Sequence, residues 1–237
     1  VRGCLVTIAL LGAVAVGATW FLLPPLVGTL TQGALVAAGF NADGMTVTVH
    51  ADPPPELLGL EADAIRVQAS NARYHGLEAV DVDVTLRDVR LGDRTFGSID
   101  GTLRFVSFPG TADRPAVTVP EATLSGSADR VRATMTFPAA AARDLASAAL
   151  EGKVGITPSK VTLAAPDRVR VVVGGDTVDG RLAIRADGAL LLEPRPSGTI
   201  GTVVLVEPGP DVPFRIDSFR IVDGGLLVVT TFDPGLG

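Results

Sequence analysis

His50 and His75 are the only histidines of the chain, 25 positions apart, and neither has a cysteine or a second histidine at ligand spacing. Zinc sites draw on short Cys/His pairings, so this pattern describes no metal centre. A Ser–His–acid triad would have to recruit one of these two imidazoles, and no Gly-x-Ser-x-Gly turn presents a serine to it. Phosphate-cradling glycine loops are missing as well, and Gly174-Gly175-Asp176 reads as a simple turn. Asp81, Asp83, Asp88, Asp100 and Asp179 mostly alternate with apolar residues, which places them on a solvated strand face. A glycosidase pair converges in space and not in sequence, so spacing alone does not decide that chemistry. Asp176-Thr177-Val178-Asp179 falls short of the clustered oxygens of a Ca²⁺ loop. Cys4 is the single cysteine, so it forms no internal disulfide. It precedes the apolar stretch, whereas a lipoprotein cysteine follows one, and it reads as a small hydrophobe. The residue types describe a binding or structural protein, not an enzyme, and call for no cofactor.

Charge narrows the partners. The net charge is −6 and no basic cluster occurs, which excludes a nucleic-acid footprint and a polybasic hold on anionic headgroups. The charge is also unevenly spread. From Gly3 to Ala42, 40 residues pass without Asp, Glu, Lys or Arg. Within them Gly3–Leu23 is an apolar run of 21 residues. As a helix rising ~1.5 Å per residue it would be about 31 Å long, matching a ~30 Å hydrocarbon core. Arg2 precedes it, so the N-terminus is expected on the cytoplasmic side and the rest beyond the membrane. Ala13-Val14-Ala15 and Val16-Gly17-Ala18 suit signal peptidase, but the run continues past both through Leu23. The expectation is a retained anchor over 1–23, the alternative a cleaved signal; both export residues 24–237.

Pro24 and Pro25 end that segment. Leu26, Leu30, Ala34 and Ala37 then recur at helical spacing, ending near Gly39. Such a helix either packs on the domain or lies at the membrane surface. From Met45 the period is two, the mark of half-buried strands. Val80, Val82, Val84 and Leu86 alternate with polar neighbours, after which Val89 and Leu91 are out of phase, which predicts a β-bulge near Arg87–Asp88. Val131, Ala133, Met135 and Phe137 form another row. Pro138 opens an alanine-rich helix with Gly152 as its predicted cap. Strands resume at Lys160–Leu163 and Val169–Val173 and continue to Leu226–Thr231, with hairpin turns at Asp187-Gly188 and Asp223-Gly224. The pattern is α+β and mostly antiparallel, with two possible halves at about 26–135 and 136–237.

Two convincing helices are few to cover so many apolar strand faces. Either two sheets close into a dry, adhesive or structural sandwich, or a curved sheet leaves an apolar groove. The groove's candidate walls are Val82, Val84 and Leu86, with Val131, Ala133, Met135 and Phe137, and Val169, Val171 and Val173.

Three stretches carry a family resemblance: PPELLGLEADAIRVQASNARYHGLEAVDVDVTLRDVRL (Pro54–Leu91), VRATMTFPAAAARDLASAAL (Val131–Leu150) and VDGGLLVVTTFD (Val222–Asp233). With the apolar N-terminus and its following alanine-rich helix, they make the chain resemble the LmeA family of actinobacterial phospholipid-binding envelope proteins over nearly its whole length. The resemblance implies a fold like that of the tubular lipid-binding (TULIP) proteins, in which strongly curved antiparallel sheet wraps a helix and lipid chains occupy the groove. It implies phospholipid or a lipid-linked glycan precursor as ligand, a role in the cell envelope, and no catalytic residues.

Overall fold

The computed structural model describes residue 25 and residues 27–37, 39–52, 54–74, 76–93, 95–110, 115–195, 201–209 and 214–232. The expected anchor over 1–23, Cys4 and His75 lie outside them. Among the described residues, no helix is long and apolar enough to cross a membrane.

Helix α1 covers 27–37. It ends where Gly39 takes φ +91 and the amides of Gly39 and Phe40 return to the carbonyls of Val36 and Leu35. Six strands follow, β1 (Gly44–His50), β2 (Glu61–Tyr74), β3 (Leu77–Arg90), β4 (Ser98–Phe108), β5 (Val117–Ser127) and β6 (Arg130–Pro138), with a 3-10 turn at Pro54–Gly59. Helix α2 spans Ala139–Val154. Its cap is Gly155, at φ +70, three residues beyond the predicted Gly152, because the helix accommodates Gly152 and needs left-handed backbone only where it reverses. Strands β7 (Lys160–Ala164), β8 (Arg168–Val173), β9 (Asp176–Ile184), β10 (Leu190–Arg195) and β11 (Val203–Val206) come next, then the hairpin β12 (Phe214–Val222) and β13 (Gly225–Phe232).

Every strand pairing is antiparallel. One open sheet runs β1-β2-β3-β4-β5-β6-β13-β12, and a second, also open, runs β11-β10-β9-β8-β7. The described residues are therefore α+β and mostly antiparallel, with two helices. The boundary expected near residue 135 falls inside β6, and the C-terminal hairpin completes the sheet begun by β1. Helix α2 touches β6 and β13 of the first sheet and β7 and β11 of the second. Its Ala142, Leu145, Ala146, Ala149 and Leu150 are buried, the i, i+3, i+4, i+7 stripe of an amphipathic helix. The apolar seam expected on α1 does not form: Val27 and Gly28 are buried, but Leu30 is 65% exposed and Ala34 and Ala37 face water.

The predicted phase slip near Arg87–Asp88 is present as a backbone feature. Asp88 has φ +52, and the β2–β3 ladder passes over Asp63 and Asp88 between Ala62↔Val89 and Ala64↔Arg87. The register is the same on both sides, so no residue is inserted; the left-handed residue alone moves burial from Leu86 to Val89. A second crease runs across four strands. Asn71 (φ +49) faces Val80, Val80 faces Phe105 (φ +48), and Phe105 faces Pro120, and each ladder passes over these positions. On both sides the inward row changes parity: Ala69 to Ala72, Ala79 to Val82, Leu103 to Val106, Val119 to Ala122. Val80 is consequently 45% exposed and leaves the row expected for it. Pro120, which cannot donate to a ladder, sits in a central strand at a place where the ladder is interrupted.

Left-handed backbone suits Asp or Asn and penalises β-branched residues by about 1–2 kcal/mol. Asp88→Val is expected to lower unfolding free energy by about that amount in urea titration, while Asp88→Gly leaves it unchanged or raises it. Equal losses for both would show that the Asp88 side chain, not its backbone, matters.

Candidate functional site

Three phenylalanines at strand ends meet where the two sheets approach. Phe108 ends β4, Phe137 nears the end of β6 and Phe214 begins β12. The Phe108 and Phe137 rings are 5.8 Å apart and tilted, and Phe108 meets Phe214 edge-on at 6.1 Å. Both spacings fall in the favourable range for aromatic pairs. Around them a cleft enclosing about 50 Å³ is lined by Val117, by Ala142 and Leu145 of α2, by Leu190 and Val206 of the second sheet, and by Ile216, Leu226 and Val228 of the hairpin. Pro109 and Pro115 border it. Every lining side chain is apolar.

Backbone bonds hold these walls. Leu226 pairs with Phe137 and Val228 with Met135, which sets β13 beside β6. The Ala139 amide at the start of α2 donates to the Gly224 carbonyl at 3.0 Å, so the helix starts against the hairpin turn. The second sheet is fastened to β12 at two points: Ile216 N–H donates to Gly188 O (3.2 Å) and Ile221 N–H to Pro166 O (3.0 Å). Gly188, at φ +88, lies so close that a Cβ there would sit 2.7 Å from that of Arg215. The Arg215 guanidinium donates to the Asp187 carbonyl at 3.1 Å, and Arg185 bonds both Asp187 and Glu207 at 2.8 Å. Asp187 also accepts the Ala189 amide at 3.1 Å. The Arg185 bond and the Ala189 amide together hold the Asp187 carboxyl down to about 2.

The cleft adjoins packed apolar core. One packed cluster, beneath α2, contains Leu190, Ile216 and Leu226; a second contains Val82, Val106, Val119 and Met135; Phe137 packs against both. A third, around Val27, Leu57 and Ile65, continues the second along the same strand faces, with Leu86 beside it and Val84 beside the second. Nine of the ten candidate wall residues are distributed among these clusters. Val82 and Met135 are buried in the second, with Val84, Ala133 and Phe137 half-buried against it. Leu86 packs on the third. Val169 and Val171 are buried beneath α2, with Val173 at their edge. Val131 is half-buried on β6. Of the ten, Phe137 alone lines the cleft. The other lining residues were missed, though a signal exists: each of the three phenylalanines adjoins a proline, as Phe108-Pro109, Phe137-Pro138 and Pro213-Phe214.

The polar side of β1–β5 forms a wide open hollow of about 1170 Å³, lined among others by Arg66, Asp81, Asp83, Asp100 and Arg104. Its carboxylates are placed for solvation. Asp83 accepts from Arg66 Nε at 2.8 Å, and that hydrogen bond lowers its pKa, the opposite of what a general acid requires. Asp100 faces Arg87 at 3.8 Å. His50 is exposed at the end of β1. Asp176 and Asp179 lie in strand β9 and not in a loop, and Asp179 pairs with Arg170 at 2.7 Å. Among the described residues no three His, Cys, Asp or Glu side chains are grouped to hold a metal.

The cleft between the two antiparallel sheets is thus apolar throughout. The chain belongs to the LmeA-like phospholipid-binding family, whose model matches residues 17–231. That membership supports phospholipid binding and points to binding rather than catalysis. Neither a curated protein nor a solved structure matches the chain.

Acid tests the fastening of the second sheet. Asp187 ionises near 3.8 when free and near 2 when folded. A depressed folded value means that its contribution is complete above the unfolded pKa and disappears as pH falls from about 4 to about 2. Asp187→Asn is expected to flatten the fall in thermal stability across that window, read by circular dichroism melts at each pH.

Proposed function

We propose that this chain binds phospholipid, taking acyl chain into the cleft bounded by Phe108, Phe137, Phe214 and α2. The observation that carries the reading is the wholly apolar lining at the junction of two sheets, in a member of a phospholipid-binding family. Burial of each methylene contributes about 0.8 kcal/mol, so eight of them contribute about 6 kcal/mol without any charged contact. At about 50 Å³ the cleft is smaller than the acyl chain it would take up, so loading requires its walls to part. The sheets are then of the TULIP kind in function, holding chains between helix and strands. The apolar run Gly3–Leu23 supports an exported domain displayed at the outer side of a cell membrane, where it holds or shuttles phospholipid or a lipid-linked glycan precursor for envelope synthesis. The reading is of a binding protein without catalysis. The small enclosed volume favours a second reading, a dry structural or adhesive module.

Mass spectrometry of lipid extracted from the purified full chain separates the two. The expected result is co-purified phospholipid, and uptake from phosphatidylcholine vesicles by the emptied protein. Phe214→Lys, at the partly exposed start of β12, is expected to cut loading about tenfold, a loss of ~1.4 kcal/mol, with the fold retained. Protein that carries no lipid and takes none from vesicles would establish the dry module.

A further inference from the structure

We propose that the end of the domain remote from the cleft is a membrane-docking lip, which inserts Leu30, Leu58 and Leu60 into the acyl region of a lipid bilayer. The three are 65%, 66% and 50% exposed, among the largest apolar exposures in the described chain. They also belong to one end of the fold. Leu57 turns inward and packs in the cluster with Val27, one helical turn before Leu30, while its neighbour Leu58 turns out. Leu60 O accepts the Leu91 amide at 2.8 Å, and its side chain lies beside Gly92 in the β3–β4 turn. Among the described residues these three outward leucines stand around a filled core plug, an apolar rim of the kind that marks an interaction surface.

The sequence names the occupant. The apolar run Gly3–Leu23 ends at Pro24, three positions before Val27, which is the residue that fixes α1 to this end of the fold. If that run lies in a bilayer, as the proposed function holds and on which this inference rests, the headgroup surface is within a few residues of the lip. Charge selects the mode of contact. The ionisable groups around this end include Glu61, Asp63, Asp88 and Asp93 against Arg87 and Arg90, so nothing draws the lip to anionic lipid, and insertion is apolar. Position then gives the lip a use. It lies at the Arg90 end of β3 and the cleft at the Leu77 end, where Gly76 meets Pro109; 14 residues of strand span about 45 Å between them. The apolar clusters of Ile65 and Val82 lie along that span, so the interior between the lip and Phe137 is apolar throughout.

The test uses the full chain with Cys4→Ser, carrying Leu58→Cys labelled with an environment-sensitive fluorophore, in phosphatidylcholine vesicles containing nitroxide-bearing lipid. Val154→Cys, on the exposed end of α2, is the control. At least threefold stronger quenching at 58 than at 154, unchanged by adding anionic lipid or by salt, supports the lip. Equal quenching at both sites, or quenching at 58 that depends on anionic lipid, overturns it. Leu30→Cys read in a Leu58→Asp, Leu60→Asp background is expected to lose its quenching while the protein still holds lipid loaded from detergent. Retained quenching at 30 in that background would also overturn the proposal. Strong quenching at 58 in a protein whose cleft never holds lipid would remove the proposed function and leave the lip standing.

Discussion

The pairing of β13 with β6 organises the rest of the molecule. It runs from Gly225↔Pro138 to Thr231↔Arg132, and it admits no side chain at its start, because a Cβ on Gly225 would lie 1.9 Å from the Phe137 carbonyl. Near its far end Thr230 is buried, and its hydroxyl donates to Ala133 O at 3.3 Å, so the one buried polar side chain of the described core is satisfied inside this ladder. Between β6 and the β12–β13 hairpin, α2 and the whole second sheet form a loop thrown out from one sheet. It has to fold back over its own base. The cleft is the seam left by that return, which is why its walls come from five separated stretches of sequence.

The alternation of apolar residues was a good guide to strands and a poor one to sheets. Val131 to Phe137, Val169 to Val173 and the turns at Asp187-Gly188 and Asp223-Gly224 are where periodicity and turn chemistry place them. The partition into two sheets was not legible, because β13 and β10 carry the same kind of apolar residue and nothing local distinguishes a strand that joins β6 from one that joins β9. The slip at Asp88 was visible because two in-phase rows flank it. The crease at Asn71 was hidden: Val80 continues the row of Val82 and Val84 in sequence and only the left-handed backbone opposite it turns it outward.

The site was less legible than the fold. The candidate residues were chosen as rows along single strands, and rows describe the interior of a sheet. The cleft is made where strands stop, at Phe108 and Phe214, and by a helix face and several strands contributing one or two side chains each. Proline next to phenylalanine at three strand ends is a local trace of it. The resemblance to the LmeA family supplied what residue patterns could not, the nature of the ligand, and the family match carries the same information.

The crease through Asn71, Val80, Phe105 and Pro120 has a mechanical consequence. A card scored along a line folds there and stays flat elsewhere; a sheet whose ladders are interrupted along one line across four neighbouring strands is scored in the same way. Phe108 and Val117 lie on the far side of that score. The opposite wall of the cleft is bolted through Gly188, Pro166 and the Arg185 ion pairs, whereas the Phe108 side is joined to its sheet only across that score, where Pro120 has no amide to donate.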